Sequence, residues 1–445
     1  MQRSWRKIVG LCLAAMLSHA AVAAAPPARA VVVLTSYPEA LTTRYQRAFE
    51  AAHPGVAVQI VWAHSADARR RLRQPGGGGV DVYWAPSPAS FAELAGQGRF
   101  APLAVDHRAL PGRIGSQPIS DPQDRFQAFE VAGYGFAVNQ QALRGKGLAV
   151  PTRWRTLADP AYAGLALWPD PARTGFAPAL YDIVLQSQGW RAGWALLSEA
   201  VAMGRLVRRG GGIVDQVADG GAPIGLSVDF MVRSAAANGR PVRMVYPDKT
   251  AFLPAHVAVL ARAPHPREAR AFAGYVLSAA GQALLFDPDI ARYPVRPAAY
   301  AEAPPGTFDP FARPAAASFA YDPALEQARG GLEVALFETA IAVRIGTLAP
   351  LWASLRAAEA AERRHPQAVV AARLAQARRL LGAVPVSERQ AADPGLQALF
   401  RRTGDARHGD AASEARRTAV LAQWRDALDR DVRQARALID GRAAP

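Results

Sequence analysis

Cysteine is nearly absent from this chain of 445 residues, which contains only Cys12. Cys12 lies in an N-terminal segment that has the pattern of an export signal. Once that segment is removed, the chain has no thiol with which to form a disulfide, a cysteine nucleophile or a thiolate metal site. These three classes of protein are therefore excluded for the mature chain.

Long apolar runs are also missing. Three basic residues precede an apolar run over residues 8–17, and the sequence Ala21-Val22-Ala23 follows it. That run is too short for a membrane span, and no later stretch approaches about 18 uninterrupted apolar residues. We therefore predict a signal peptide over residues 1–23, cleaved near Ala23, and an exported periplasmic protein that is not embedded in the membrane.

Lysine is scarce as well: it occurs only at positions 7, 146 and 249, so arginine supplies most of the formal net charge of +15. A charge of this size raises nucleic acid as a partner. The arginines are spread along the whole chain, however, and the densest block, residues 69–73, is typical of a solvated helix face. Together with export, this distribution predicts no nucleic-acid partner and a weak preference for small anions.

Motifs of the common enzyme classes are missing too. The chain contains no G-x-S-x-G elbow, no G-x-x-x-x-G-K-[ST] loop and no H-E-x-x-H sequence. Its eight histidines never stand three or four residues apart, so a helical zinc site has no support. We therefore expect no enzyme, no cofactor and no bound metal.

What the sequence does contain is an alternation of short apolar strands and amphipathic helices over residues 31–276, which is typical of α/β proteins. Two long alternating stretches, residues 126–139 and 252–260, can carry the chain between two lobes. We therefore predict a two-lobed α/β protein with a cleft between the lobes. The first lobe is expected to hold residues 30–125 with 250–305, and the second residues 126–249.

The junction of a predicted strand and a predicted helix around Arg173-Thr174-Gly175 is a candidate anion seat. Thr174 can cap the helix through its hydroxyl, and Pro178 is tolerated in a first turn. Gly175 lets a ligand approach the backbone closely. Free N–H groups and the positive end of the helix dipole, with Arg173 beside them, favour an anion. The alternative is an ordinary strand–turn–helix junction.

Each of three successive predicted strands is followed by a turn that contains a serine. These serines are Ser36, Ser65 and Ser87. In open α/β sheets, ligands bind at the carboxyl ends of the strands. We therefore expect these serines to contact the ligand, together with Tyr37 in the same turn as Ser36. Each serine could instead simply cap a helix.

Several segments, in the expected order, resemble a known family. The chain is similar, over about residues 30–305, to the type II periplasmic substrate-binding proteins of ABC transporters. Within these it resembles the branch that binds ferric iron, phosphonates, sugar phosphates and phosphoglycerate. The resemblance implies two lobes that close around one ligand, and it places the serines and Thr174-Gly175 at ligand-binding loops. The segments that carry it are residues 210–229, 246–248, 265–272, 278–282 and 293–297.

The chain departs from the iron binders of that branch. They typically present a tyrosine pair after the strand that here ends at Val228, where this chain has Asp229 and Phe230. Without phenolates, ferric iron loses its strong ligands, so an iron-binding function is disfavoured. Arg173 and Arg233 favour a phosphorylated, phosphonate or carboxylated ligand instead, because guanidinium pairs with both groups bidentately.

Three residues of this predicted ligand set have alternative roles. Arg233 could be a surface arginine on a helix. Tyr246 could line the cleft, but a tyrosine of this kind is more often packed in the core. Asp229 could hold one of the arginines in place.

About 125 residues follow the part that resembles the binding proteins. Their alanine content and an apolar stripe at helical spacing predict an all-helical C-terminal extension over residues 320–445. The extension is either an appendage packed against a lobe or a docking surface for a membrane partner. It is similar to the extension of the phosphoglycerate transport regulatory proteins, in which the periplasmic binder informs a sensor kinase.

The sequence therefore predicts a monomeric periplasmic solute-binding protein that captures a small organic anion, phosphorylated or phosphonate, and presents it to an ABC permease. A regulatory protein that signals to a membrane sensor kinase through its helical extension is the alternative. Ferric-iron binding is the third and disfavoured function.

Overall fold

The computed structural model of the protein describes residues 29–115, 117–208, 212–312, 319–401 and 410–441. The predicted signal peptide and its cleavage site lie outside the described residues. So do Gly210 and Gly211 of the segments that carry the family resemblance.

Residues 29–118 alternate between strands and helices, as the sequence predicts. Apolar residues at helical spacing in Glu39–Ala52 and the β-branched run of Val56–Trp62 account for the first helix and the second strand. The elements are β1 (Arg29–Thr35), α1 (Glu39–Ala52), β2 (Val56–Trp62), α2 (Ser65–Leu72), β3 (Val82–Ala85), α3 (Pro88–Gly96), β4 (Phe100–Ala101), β5 (Arg113–Ile114) and β6 (Gln117–Pro118).

The next section of chain begins with the longest strand among the described residues, β7 (Gln127–Val138). Its first half pairs with a strand from later in the chain, and its second half pairs with β10, so that β7 belongs to both halves of one sheet. The elements that follow β7 are α4 (Gln140–Arg144), β8 (Ala166–Pro169), α5 (Ala177–Gln188), α6 (Trp190–Met203), β9 (Arg205–Val207), α7 (Ile213–Ala218), β10 (Ile224–Val228), α8 (Asp229–Ala237) and β11 (Arg243–Val245).

The chain then returns to the part of the sheet that contains β1, β2 and β3. It does so through β12 (Phe252–Leu260), which lies between β3 and the first half of β7. It continues through α9 (Pro266–Leu277), α10 (Ala279–Ala283) and β13 (Tyr293–Pro294). The strand order β2-β1-β3-β12-β7-β10-β8-β9 results.

Two lobes share this sheet. The first lobe is built on β2, β1, β3, β12 and the start of β7, around a core that includes Trp84 and Phe129. The second is built on the end of β7 with β10, β8 and β9, around a core that includes Trp168 and Trp194. The two-lobed α/β fold is thus confirmed, while the residue bounds that we predict for each lobe stay a prediction.

The C-terminal part of the chain is helical, as the sequence predicts. Its helices are α11 (Pro323–Ala340), α12 (Ile345–Arg364), α13 (Ala368–Leu381), α14 (Glu388–Ala391), α15 (Pro394–Phe400) and α16 (Ala411–Ile439). We call these six helices the helical extension. Here α11 packs on α5, while α12 and α13 pack on α6, so the extension lies against the second lobe. In addition, α11 contacts α3 of the first lobe.

The stretch Pro323–Arg364 is long and apolar enough, by length and composition alone, to cross a membrane. In the structure, Leu336 and Phe337 of α11 are buried in the core of the second lobe, and Trp352 of α12 is buried against α6. The indole N–H of Trp352 donates to the hydroxyl of Ser198 at 3.2 Å. We therefore interpret this stretch as two core helices of a folded domain.

A buried ionic cluster joins α5 to α11. A guanidinium nitrogen (Nη2) of Arg329 donates to Asp182 Oδ1 at 3.0 Å, and Arg329 Nε lies 2.7 Å from Glu333 Oε1. All three side chains are buried. Burial, and then the charge of Asp182, raises the pKa of Glu333 well above its usual range. One cation thus faces two carboxyl groups at this interface.

Candidate functional site

A cavity of about 370 Å³ lies between the two lobes. The start of α1 and residues 289–292 line it from the first lobe. The starts of α5 and α7 and one face of α8 line it from the second. Its lining residues include Pro38, Leu41, Phe176, Ile213, Asp215, Ser227, Phe230, Met231, Ser234, Asp289 and Arg292.

Two of the helices that begin at this cavity present an uncapped N-terminus. The N-cap residue of α1 is Pro38 and that of α5 is Phe176, and neither makes a side-chain capping bond. In α5 the N–H of Ala177 donates to the carbonyl of Thr174 at 3.1 Å and Pro178 has no N–H, so α5 offers fewer free donors than its lack of a cap suggests. Backbone N–H groups in a first turn that lack a side-chain partner can bind an anion, and the helix dipole adds to the attraction. The geometry of the cavity therefore favours a ligand with negative charge.

The anion seat predicted around Thr174 differs in detail from the expectation. The expected cap is wrong, because α5 begins at Ala177 and its N-cap residue is Phe176. Asp170 organises the turn instead: its carbonyl accepts the N–H of Thr174 at 2.9 Å, and its Oδ1 accepts the N–H of Ala172 at 2.9 Å. An acceptor four residues earlier in the chain, Asp170, thus organises the turn in place of Thr174.

The side chains of the same turn have different environments. Thr174 is buried, and its hydroxyl has no hydrogen-bond partner among the described residues. Arg173 is 61% exposed, with its Nε 3.6 Å from Asp170 Oδ2. Gly175 is exposed, and a Cβ there would meet open space. The Thr174 hydroxyl is thus unused, while Arg173 is held only loosely, and the contact of either with a ligand stays a prediction.

The three serines that are predicted to contact the ligand lie at the same end of neighbouring strands in the first lobe. They follow β1, β2 and β3, which are neighbours in the sheet, and all three are half-buried. Ser65 is the first residue of α2, and Ser87 Oγ lies 2.7 Å from Ser90 Oγ. None of the three is among the described residues that line the cavity, so their contact with a ligand stays a prediction.

Tyr37 is buried beneath the cavity in an ionic cluster. Its hydroxyl donates to Glu130 Oε1 at 2.5 Å, and Arg292 Nη1 donates to the same oxygen at 2.7 Å. Burial raises the pKa of Glu130 and, more strongly, that of Tyr37. Sequence reasoning missed Arg292, although it directly precedes one of the segments that carry the resemblance.

Asp229 and Tyr246 lie at the hinge between the lobes. Gly133 is the residue at which β7 passes from β12 to β10, and its N–H donates to Asp229 Oδ2 at 2.5 Å. The Tyr246 hydroxyl donates to the same oxygen at 3.1 Å. A Cβ at Gly133 would lie 2.5 Å from the Phe252 ring, so the close approach of these segments requires glycine. Asp229 therefore connects β7 to the segment that contains Tyr246 and leads into β12.

Arg233 also spans the two lobes. Its Nη1 donates to the carbonyl of Ala291 at 2.6 Å, and its guanidinium lies 3.8 Å from the centre of the Tyr293 ring. In the reciprocal direction, Arg292 of the first lobe lies 3.8 Å from the centre of the Phe230 ring in α8. We call these two arginine–aromatic pairs the arginine clasp. Cation–π contacts are attractive, and more so for the buried Arg292 than for the half-buried Arg233, so the clasp holds α8 against residues 291–293.

We expect Asp229 to make stability depend on pH. Burial raises the pKa of Asp229 to about 7, against the opposing effect of Arg233. Because its pKa in the unfolded chain is about 4, the native state keeps the proton over the interval between these values. The corresponding stability is fully present below about pH 4 and is lost as the pH rises to about 7.

Melting temperatures of the wild type and of Asp229→Asn between pH 4 and 8 check this expectation. The asparagine oxygen can still accept the N–H of Gly133, but it cannot ionise. The melting temperature of the wild type relative to the variant should fall as the pH rises. Parallel profiles would show that Asp229 does not titrate in this range.

Comparisons with known proteins agree with this architecture. Residues 82–312 match the model of a family described as bacterial extracellular solute-binding protein. The chain is 27% identical over 380 residues to the phosphoglycerate transport regulatory protein PgtC of Salmonella typhimurium. That match covers 84% of this chain and 90% of PgtC.

Solved structures of binding proteins share the fold. The protein AfuA of Actinobacillus pleuropneumoniae, with fructose-6-phosphate bound, has a TM-score of 0.51 and 19% identity. It covers 63% of this chain, and the match covers 88% of AfuA. Iron-bound HitA of Pseudomonas aeruginosa has the same score and identity, with 63% and 90% coverage. The fold expected from the resemblance is thus confirmed.

The extents of these matches differ in an informative way. The two structural matches cover 63% of the chain, whereas the PgtC match covers 84%. Residues 1–322 make up less than three quarters of the chain. The PgtC match must therefore include part of the helical extension.

Proposed function

Since the chain belongs to the family of bacterial extracellular solute-binding proteins, we propose that it captures a small phosphorylated organic anion in the periplasm and presents it to a membrane partner. The observation that carries this proposal is the cavity between the lobes, where uncapped helix N-termini and Arg292 meet. A ligand there contacts both lobes at once, so its binding favours the closed form. No chemical step on the ligand is required.

The phosphorylated character of the ligand has support from the relative that matches most of this chain. PgtC is a phosphoglycerate transport regulatory protein by name. Phosphate groups suit helix N-termini and guanidinium groups, both of which border the cavity. Thr174 and Gly175 at the start of α5 would add a hydroxyl and an accessible backbone from the second lobe, and Ser36, Ser65 and Ser87 would add hydroxyls from the first.

Titration calorimetry of the mature chain tests this function. The ligands are 3-phosphoglycerate, phosphoenolpyruvate, sugar phosphates, phosphonates, inorganic phosphate and ferric citrate. Micromolar or tighter binding of a phosphorylated acid, weakened in Thr174→Ala, supports the proposal. Silence toward every anion refutes it.

A regulatory function is the second candidate, and the helical extension favours it. The match to PgtC covers 84% of the chain and includes part of the extension, whereas the matches to AfuA and HitA cover 63% each. The membrane partner would then be a sensor kinase in addition to, or in place of, an ABC permease. Binding of the purified protein to each candidate membrane protein in nanodiscs, with and without ligand, distinguishes the two.

Ferric-iron binding remains disfavoured, although the structure does bring two tyrosines together. The hydroxyls of Tyr246 and Tyr293 lie 3.1 Å apart, beside Asp229. Burial raises the pKa of Tyr293 to about 12 and that of Tyr246 well above its usual value, which disfavours the phenolate forms that would bind iron. Arg233 stacks on the Tyr293 ring and would repel a metal cation. These phenols are therefore poor candidates for phenolate ligands.

A further inference from the structure

Arg292 is a buried cation in the wall of the cavity. It is 5% exposed, and its one hydrogen bond among the described residues runs from Nη1 to Glu130 Oε1. A guanidinium has five N–H donors. Its Nε and Nη2 groups therefore have no protein acceptor in the part of the chain that the structure describes.

The guanidinium is held in a fixed position. Its central carbon lies 5.0 Å from the centre of the Tyr37 ring, which belongs to the first lobe, and 3.8 Å from that of Phe230, which belongs to the second. Two rings and one carboxylate leave little rotational freedom. A guanidinium ordered in this way loses little entropy when it binds an oxyanion bidentately.

The cavity also contains carboxylates, which restrict the ligand. Asp215 and Asp289 both line it. The negative charge of Asp289 is partly compensated by Arg44, whose Nη2 lies 3.7 Å from Asp289 Oδ2. Asp215 lies in the first turn of α7. Carboxylates repel a bare multivalent anion but accept hydrogen bonds from hydroxyl groups. The wall therefore suits a molecule with an anionic group at one end and hydroxyl groups at the other.

We infer that Arg292 binds the anionic group of the ligand through its free N–H donors, while Asp215 and Asp289 accept hydrogen bonds from hydroxyl groups of the same molecule. The inference rests on the proposed function and narrows it to organic phosphates that also carry hydroxyl groups, to the exclusion of inorganic phosphate. Because Arg292 also stacks on Phe230, the residue that recognises the anion belongs to the arginine clasp. Anion binding and interlobe contact thus meet on one side chain.

The test is a calorimetric series on the full mature chain. Its probes are 3-phosphoglycerate, glycerate, fructose 6-phosphate, fructose and inorganic phosphate. The two phosphorylated molecules and glycerate separate a phosphate from a carboxylate as the recognised group. Fructose and inorganic phosphate separate the contribution of the hydroxyls from that of the anion.

The variants are designed to separate binding from folding. Arg292→Lys keeps a cation beside Glu130 but loses the bidentate fork. Arg292→Met combined with Glu130→Gln removes both charges, so that no unpaired carboxylate remains buried. Arg47→Met, at an exposed position on α1 outside the cavity lining, is the matched control for the loss of one positive charge.

We expect the organic phosphate that the wild type binds best to bind roughly 10- to 100-fold more weakly to both Arg292 variants, because a charge-assisted bidentate pair is lost. Arg47→Met should bind as the wild type does, and inorganic phosphate should bind weakly to every form. Wild-type affinity in folded Arg292→Lys and in the double variant would overturn this inference but leave the proposed function standing. Tight binding of inorganic phosphate to the wild type would overturn the hydroxyl requirement. A wild type that binds no probe refutes the proposed function itself.

Discussion

Removing the helical extension should unfold the second lobe instead of leaving a smaller binding protein. The extension buries Leu332, Leu336, Phe337 and Trp352, all of which are at most 1% exposed. Each such side chain contributes about 1.5–3 kcal/mol when it is buried. Their sum is comparable with the whole stability of a typical domain, about 5–15 kcal/mol.

Polar groups of the second lobe would lose their partners at the same time. The indole N–H of Trp190 donates to the carbonyl of Val386 at 2.8 Å, and the Ser198 hydroxyl donates to the carbonyl of Leu381 at 2.6 Å. Asp182 would lose Arg329. The truncated chain would therefore expose both apolar surface and unpaired polar groups on α5 and α6.

A chain of residues 24–318, expressed beside the full mature chain, checks this expectation. We expect the short form to aggregate, or to show a weak and broad thermal transition when examined by circular dichroism. A monomeric short form with a cooperative transition close to that of the full chain would contradict it. That outcome would show that the second lobe folds without its helical cover.

Replacing Arg329 should produce the largest effect of a single substitution at the extension interface. Arg329→Met leaves Asp182 and Glu333 buried without their cation. Removing one partner of a buried ion pair typically costs about 3–5 kcal/mol. Urea denaturation should show this loss at pH 7 as a lower transition midpoint.

Two further variants isolate the cause. Adding Asp182→Asn to Arg329→Met removes the carboxyl group to which Arg329 donates its hydrogen bond and should restore part of the stability. Arg240→Met is the matched control, since Arg240 pairs at 2.6 Å with Asp219 on the exposed surface. An exposed pair contributes about 0–1 kcal/mol, so this control should change little. Equal losses for Arg240→Met and Arg329→Met would refute an electrostatic explanation.

Much of the fold could be predicted from the sequence because its local patterns are strong. The spacing of apolar residues in α1 and the β-branched run of β2 leave one interpretation each. The alternation over β7 identified the strand that passes from one lobe to the other, whereas β12, expected to do the same, lies within the first lobe between β3 and the first half of β7. The helical extension was equally clear from its apolar stripe and alanine content. What the pattern could not show is that the extension completes the core of the second lobe.

The site could be predicted only in outline, because its chemistry depends on contacts between distant segments. Asp229 faces Gly133, nearly a hundred residues earlier in the chain, and no local pattern shows this contact. Arg292 becomes a cavity residue only when Phe230 and Tyr37 hold its guanidinium. The expectation that Thr174 caps α5 was wrong for a different reason. Asp170 and Thr174 both had suitable chemistry for organising the turn, and the sequence alone did not decide between them.

The order of strands in the sheet has a consequence for the time course of folding. Neither lobe is complete when the first half of the chain has been made, because β3 pairs with β12 and α5 packs on α11. Both β12 and α11 lie in the second half of the chain. Pairings between residues this far apart form slowly, because a long loop must close before any contact compensates for its lost entropy. Until then β3 keeps an unpaired edge and α5 an uncovered apolar face, both of which invite aggregation. The yield of folded protein should therefore depend on how well the incomplete chain is protected from aggregation until its last third has been made.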